Sequence, residues 1–187
     1  MKIIVASGNA HKIEEIAKIF TGFELVSMRD IFDGDIEENG STFKENALIK
    51  AKFIAERFAL PALADDSGLC VDALGGAPGV YSSRYSGGDD AENRRLLLKN
   101  LENASSRTAR FKSVVCLYFP DGRTVFGEGA CEGSILFEDT GEGGFGYDPI
   151  FYSKDLKKSF GEASAEEKNM VSHRFRALCD LKDKLLI

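Results

Sequence analysis

The sequence predicts an α/β protein with a mixed β-sheet and flanking helices. An apolar run over residues 2–6 leads through a loop of small residues into a segment that starts at Lys12, where apolar residues recur at helical spacing. Further along, two β-rich runs over residues 109–119 and 123–129 flank a Pro-Asp-Gly turn, which is typical of a hairpin. Because a hairpin pairs its strands antiparallel, we expect a mixed sheet.

The other elements follow in order along the chain. Residues 23–27 form a second strand, and residues 29–40 are acidic and aperiodic, which indicates a mobile loop. Thr42 and Glu45 have the spacing of a capping box, so a long amphipathic helix begins there. That helix ends before Pro61.

Three further segments complete the predicted fold. Residues 59–64 form a short buried strand, and residues 89–102 form a helix. Ser164 and Glu167 repeat the capping-box spacing, so we expect one terminal helix from there. No repeat or linker divides the chain, so residues 1–187 are predicted to be a single domain.

Composition excludes several classes of protein. With 187 residues, of which 43% are hydrophobic, the chain can bury a core. A net charge of −6 argues against binding to duplex nucleic acid, which requires a basic face. The four cysteines are widely spaced and predict neither a zinc site nor a disulfide framework. The N-terminal apolar run is too short for a signal peptide and no segment approaches the ~20 apolar residues of a membrane span, so we expect a cytoplasmic protein.

Two adjacent carboxylates, Asp65 and Asp66, follow the predicted strand at residues 59–64 and precede Ser67. Open α/β sheets bind their ligands at the carboxyl ends of strands, and Mg²⁺ prefers such oxygen ligands. The alternative is that these three residues only form a turn.

The acidic loop supplies a second set of carboxylates, Glu37 and Glu38. Together with Asp65 or Asp66, either one would hold Mg²⁺ while a substrate phosphate adds further oxygens. One of these acids would also deprotonate a water molecule. The alternative is that the loop acids are simply solvated.

The loop after the first strand has the composition of a phosphate site. Backbone N–H groups at a helix N-terminus, small residues and a lysine in the first turn suit an anion. The alternative is an ordinary βα turn. The loop consists of Ser7, Gly8, Asn9, Ala10, His11 and Lys12.

Two later segments complete the candidate site. Residues 143–149 place glycines around Phe145 and Tyr147, which suits stacking on a planar base, although either ring alone would fit a core. Residues 168–174 gather polar and basic side chains that suit an anion or a carbonyl oxygen, with a surface cluster as the alternative.

Taken together, these segments resemble the Ham1 family of inosine triphosphate pyrophosphatases. The resemblance runs nearly end to end, in the family's order, through SGNAHK, TFKENA, LADDSGLCVDALGGAPGVYSSRYSG, GGFGYDPIF and KNMVSHRFRAL. It implies an elongated protein with two lobes around a nucleotide cleft, usually a homodimer. It also implies Mg²⁺-dependent hydrolysis of ITP, dITP and XTP to the monophosphate and pyrophosphate, which cleanses the nucleotide pool.

The resemblance also implies roles for individual residues. Ser7 to Lys12 hold the triphosphate, Glu37 and Asp66 bind Mg²⁺, and Asp66 accepts the proton of the attacking water. Glu38 stays open as the alternative metal ligand. The remaining substrate contacts are Ser67, Phe145, Gly146, Tyr147 and Asp148, then Lys168, His173 and Arg174.

Two positions depart from the family pattern, since Ser7 stands where many relatives have Thr, and Phe175 where many bacterial relatives have Gly.

Hypoxanthine and xanthine carry an oxygen at C6, so a hydrogen-bond donor such as His173 or Arg174 would accept these bases and reject adenine. Two other hypotheses remain open: a nucleotide-binding regulator without turnover, and a hydrolase of other modified nucleotides.

Overall fold

The computed structural model describes residues 1–185, and the side chain of His11 also lies outside the described part. The strands are β1 Lys2–Val5, β2 Glu24–Ser27, β3 Ala62–Val71, β4 Thr108–Tyr118, β5 Thr124–Ile135, β6 Phe151–Ser153 and β7 Lys158–Ser159. The helices are α1 Ala10–Ile19, α2 Phe43–Phe58, α3 Asp90–Asn100, α4 Ala165–Val171 and α5 His173–Lys184.

The sheet has seven strands in the order β2-β1-β3-β4-β5-β6-β7. β1 pairs parallel with β2 and β3, whereas β6 pairs antiparallel with β5 and β7. The predicted hairpin joins β4 to β5, where the N–H of Phe119 donates to the carbonyl of Arg123 at 2.9 Å. The prediction of a mixed α/β sheet with flanking helices is therefore confirmed.

β3 is longer than predicted. The sequence indicated a strand that stops at Ala64, but β3 continues to Val71, so Asp65 and Asp66 lie inside it. β1 pairs only with the first part of β3, through Ile4 with Ala62 and Val5 with Leu63. The two acids therefore lie just past the carboxyl end of β1. Their burial in mid-strand is possible because each has cationic or amide partners, described below.

The C-terminal segment is also different from the prediction of one helix. Helix α4 ends at Val171 and α5 begins at His173, because the backbone of Ser172 is extended, with φ −66° and ψ 152°. The predicted capping box is present at the start of α4, where the Ser164 side chain accepts from the N–H of Glu167. The break places Lys168 in α4, and His173 and Arg174 in the first turn of α5.

The chain divides into two compact units. The first comprises Met1–Asp66, Ser113–Gly129 and the chain from Arg174 onward, and the second comprises Ser67–Lys112 and Ala130–His173. In the first unit, helix α1 packs on the hydrophobic core through Ile16 and Phe20. In the second unit, the core contains the ring pair Phe111 and Phe151, with centroids 4.7 Å apart. The prediction of a single domain stays a prediction.

Helix α2 begins at the predicted capping box. The side chain of Thr42 accepts from the N–H of Glu45, and Glu45 accepts in return from the N–H of Thr42. The buried face of α2 includes Ala47, Ala51 and Ile54, which agrees with the predicted amphipathic helix. Residues 1–185 contain no helix with the length and apolarity that a membrane crossing requires.

Gly127 allows β5 to approach α5 closely. A Cβ at this position would lie 2.1 Å from the carbonyl oxygen of Ala177 and 2.6 Å from the backbone nitrogen of Leu181. We expect Gly127→Ala to lower the free energy of unfolding by about 1–3 kcal/mol in a urea titration, because the helix backbone must move. The neighbouring exposed Glu128→Ala is the control, and an unchanged midpoint for Gly127→Ala would contradict the account.

Candidate functional site

Asp65 and Asp66 form the centre of a buried ionic cluster in the first unit. Their exposed fractions are 1% and 8%, so neither is a surface acid. Because successive strand residues point to opposite faces, the two carboxylates meet different partners. We call Asp65, Asp66 and their partners Lys12, Lys50 and Arg174 the carboxylate cluster.

Asp65 binds two cations. The Nζ of Lys12 lies 3.2 Å from its Oδ1, and the Nε of Arg174 donates to its Oδ2 at 3.0 Å. Arg174 also donates through Nη1 to Glu15 of helix α1. Burial acts to raise the pKa of Asp65, but Lys12 and Arg174 outweigh it and hold the pKa well below its usual range. Asp65 is therefore a permanent anion that links α1 and α5 to β3.

Asp66 has a different environment. The Nδ2 of Asn46 donates to its Oδ2 at 3.0 Å, and the Nζ of Lys50 lies 3.8 Å from its Oδ1. Burial raises the pKa of Asp66, while Lys50 and Asn46 act in the opposite direction. Glu38 contributes to the increase by repulsion. Of the two adjacent acids, Asp66 is thus the one whose proton affinity is increased.

The acidic loop reaches this cluster through Glu38. The Nζ of Lys50 donates to Glu38 at 3.0 Å and to the backbone carbonyl of Asp65 at 2.8 Å. Glu37, which the family resemblance implies as a metal ligand, is exposed. Among residues 1–185, no group of three or more His, Cys, Asp or Glu side chains is arranged to hold a metal ion. Asp66 and the two loop acids are the carboxylates here that could hold a metal ion.

The predicted phosphate loop is organised by its own side chains. The N–H of Asn9 donates to the Oγ of Ser7 at 3.2 Å, and the N–H of Lys12 donates to the Oδ1 of Asn9 at 3.3 Å. Helix α1 begins at Ala10, so the loop stands at a helix N-terminus as predicted. Burial lowers the pKa of Lys12, although the Asp65 carboxylate acts to raise it.

Arg29 adds a cation to this loop that the sequence did not indicate. A Cβ at Gly8 would lie 3.0 Å from Nη2 and 3.1 Å from Nε of Arg29, so the guanidinium rests against the glycine backbone. Arg29 is exposed, whereas Lys12 is turned toward Asp65. The outer side of the loop therefore carries the charge of Arg29.

Asn46 and Lys50 are further residues that the sequence analysis did not select. Both are buried on helix α2, with 1% and 8% of their surface exposed. A signal was present, because they are four residues apart and each directly precedes a core alanine, Ala47 or Ala51. Polar side chains at that spacing beside a buried face indicate a buried polar contact.

The second unit contains the aromatic segment, which we call the aromatic loop, residues 143–148. Gly144 and Gly146 have positive φ angles of 75° and 61°, and Phe145 lies between them, half-buried. A Cβ at Gly144 would lie 2.2 Å from Oδ2 of Asp148, so only glycine fits there. The N–H of Phe145 donates to that same oxygen at 2.8 Å.

Lys168 and Asp148 form a buried pair in the second unit, with Nζ 2.6 Å from Oδ2. The same ammonium lies 4.3 Å from the ring centre of Phe145, a cation–π distance. Tyr147 is 4% exposed and its hydroxyl donates to the carbonyl of Ser82 at 2.9 Å. Burial raises the pKa of Tyr147, so it remains a neutral core residue.

The structure thus brings the predicted residues together in two groups. Lys12, Asp65, Asp66 and Arg174 meet in the first unit, and Phe145, Asp148 and Lys168 meet in the second. His173 is 6% exposed and stacks on Phe111, with ring centres 4.9 Å apart. Ser67 is half-buried in β3, directly after Asp66.

Comparisons with known proteins agree on one family. A family model described as the Ham1 family matches residues 3–184. The dITP/XTP pyrophosphatase of Haemophilus influenzae is 45% identical over 98% of each chain. That of Halalkalibacterium halodurans is 50% identical over 98% of this chain and 97% of the relative. The solved Ham1 protein of Staphylococcus aureus is 40% identical, with a TM-score of 0.92 over 100% of this chain and 98% of its own.

Removing the charge of Asp65 should destabilise the protein strongly. Asp65→Asn leaves Lys12 and Arg174 buried without their anion, so we expect a loss of about 3–5 kcal/mol in the free energy of unfolding. Urea unfolding followed by circular dichroism measures it. Asp33→Asn, an exposed change of the same chemistry, is the control and should stay near the wild type. Equal stability of the two variants would show that the ion network does not hold the fold.

Proposed function

Because the chain belongs to the Ham1 family, we propose that it hydrolyses noncanonical purine nucleoside triphosphates, dITP, XTP and ITP, to the monophosphate and pyrophosphate. The observation that carries this conclusion is the pair of adjacent acids in β3, one neutralised by two cations and the other held by an amide and a lysine. Full-length relatives at 45–50% identity are named dITP/XTP pyrophosphatases.

The loop from Ser7 to Lys12 is the proposed site for the triphosphate. Its backbone N–H groups stand at the start of α1, where the helix dipole favours an anion. Lys12 and Arg29 provide positive charge on the inner and outer sides of the loop. Both residues belong to the first unit, as do the acids that would serve the reacting phosphate.

Asp66 and Glu37 are the proposed ligands of Mg²⁺, with Glu38 as the alternative in place of Glu37. Glu38 is already paired with Lys50, whereas the exposed Glu37 is accessible to a hydrated ion. When bound, Mg²⁺ supplies charge for the phosphate oxygens and orders the attacking water. The donor set of oxygens fits this ion.

Asp66 is also the proposed proton acceptor for the attacking water. Asn46 and Lys50 fix the carboxylate from one side, which leaves its orientation defined before substrate arrives. Asp65 takes no proton in this scheme, because its two cations hold it as an anion. Asp65 instead keeps Lys12 and Arg174 in place.

The aromatic loop is the proposed contact for the purine base, through the ring of Phe145 and the backbone of Gly146. Stacking of a base on an aromatic ring is sequence-tolerant, so discrimination at C6 requires a hydrogen-bond donor. His173 and Arg174 are the proposed donors. The Nε and Nη1 of Arg174 already donate to Asp65 and Glu15, which ties its position to the carboxylate cluster.

Assembly and location are part of the proposal. The family resemblance favours a homodimer, which sedimentation of the purified protein would reveal. It also favours a cytoplasmic enzyme that acts on free nucleotides and not on nucleic acid.

The activity is tested by pyrophosphate release across a panel of nucleoside triphosphates with Mg²⁺. We expect release from dITP, XTP and ITP, and much slower release from ATP, whose base carries an amino group at C6. Asp66→Asn should lower kcat by about 10²-fold or more, because the proton acceptor and one carboxylate ligand of Mg²⁺ are lost, while the triphosphate loop and the aromatic loop still bind nucleotide. The exposed Asp183→Asn is the control. Binding without turnover in the wild type would favour a regulator, and release only from other nucleotides would favour a different substrate class.

The metal ligand in the acidic loop is identified by two conservative variants. We expect Glu37→Gln to raise the Mg²⁺ concentration for half-maximal rate by about 10-fold, because one carboxylate ligand is lost. Glu38→Gln should change it less, since its main partner is Lys50. A larger shift for Glu38→Gln than for Glu37→Gln would assign the ligand to Glu38.

A further inference from the structure

Helix α3 holds the aromatic loop through the backbone N–H and the backbone carbonyl of Gly146. The N–H of Gly146 donates to Oδ2 of Asp90 at 2.9 Å, and its carbonyl accepts from Nη1 of Arg94 at 2.9 Å. Asp90 and Arg94 are four residues apart, so they lie on the same face of α3. Two side chains of α3 therefore hydrogen-bond to both backbone polar groups of Gly146.

Arg94 also fixes the chain ahead of the aromatic loop. Its Nε and Nη2 donate to Asp139 at 3.0 and 2.8 Å, a bidentate pair. The side chain of Arg94 is 16% exposed and all three of its nitrogens have these partners. One planar guanidinium thus connects α3 to both ends of the segment from Asp139 to Gly146.

The loop needs such fixation because of its glycines. Gly144 and Gly146 both have positive φ angles. Glycine also has many other backbone conformations available to it, so these two residues do not fix the loop by themselves. Phe145 lies between them, so its ring direction follows their backbone angles. The other constraint on Phe145 comes from Asp148, which accepts its N–H, and from Lys168 above its ring.

We propose that Asp90 and Arg94 are positioning residues that set the ring of Phe145 in the orientation that stacks on the purine. They act through Gly146 and touch no substrate themselves. The inference rests on the proposed function, because it assigns to α3 part of the affinity of that same site for the purine base. A loop held in its binding conformation loses less entropy when the base stacks, so the effect falls on KM.

The chain supplies a matched set of variants on α3. Arg94→Gln removes the bidentate pair and Arg94→Lys keeps the charge with a single contact. Asp90→Ala removes the acceptor for the Gly146 N–H, whereas Asp90→Asn retains an amide oxygen there. Arg95→Gln is the control, because Arg95 is exposed and its salt bridge to Glu92 is long, at 3.9 Å.

Steady-state pyrophosphate release from dITP and ATP is measured for each variant, together with inhibition by inorganic tripolyphosphate, which has no base. We expect Arg94→Gln and Asp90→Ala to raise KM for dITP by about 10-fold or more, with kcat within about 3-fold. Asp90→Asn and Arg95→Gln should stay within about 3-fold of the wild-type KM. Inhibition by tripolyphosphate should be unchanged in all, because the phosphate site lies on other residues.

Several results would overturn the inference. An unchanged KM for dITP in both Arg94→Gln and Asp90→Ala would show that α3 does not position the loop. A rise in KM accompanied by equally weakened inhibition by tripolyphosphate would indicate general damage to the protein, and it would also overturn the inference. Should Arg94→Gln fail to fold, Asp90→Ala and its rescue by Asp90→Asn make the same test. A wild type that releases no pyrophosphate from any nucleotide defeats the proposed function, whereas an active wild type with unaffected variants defeats only this inference.

Discussion

The burial of the Asp65 carboxylate is the constraint on which the first unit depends. An unpaired carboxylate in a protein interior is expensive, so Asp65 persists only because Lys12 and Arg174 accompany it. These cations come from α1 and α5, near opposite ends of the chain, and Glu15 of α1 in turn accepts from Arg174. The carboxylate therefore joins elements that are distant in sequence. The same contacts fix Lys12 in the first turn of α1, at the end of the loop of residues 7–12.

This constraint also explains why two adjacent acids have different chemistry. The strand pleat turns Asp65 toward two cations and Asp66 toward Asn46 and Lys50, so their pKa values move in opposite directions. Asp65 is therefore held as an anion between two cations, whereas Asp66 is the carboxylate whose proton affinity is increased. The aromatic loop of the second unit follows similar logic, since the charged side chains of Asp90 and Arg94 hold a backbone that contains two glycines.

Much of the fold was predictable because its signals are local. The capping boxes at Thr42 and Ser164, the helical spacing in α1 and α2, and the hairpin turn all act within a few residues. β3 was predicted too short because two consecutive acids are typical of a strand end, and the cations that compensate them lie far along the chain. The break at Ser172 was missed because apolar spacing continues across it. Tertiary contacts such as Arg94 with Gly146 leave no mark in local sequence.

The coupling between Asp65 and Arg174 can be measured by a double-mutant cycle. Asp65→Asn, Arg174→Gln and the double variant are compared by urea unfolding at neutral pH. We expect the double variant to be less destabilised than the sum of the single variants by about 2 kcal/mol, because each single change leaves a buried partner uncompensated. Additive single effects, within about 0.5 kcal/mol, would contradict it.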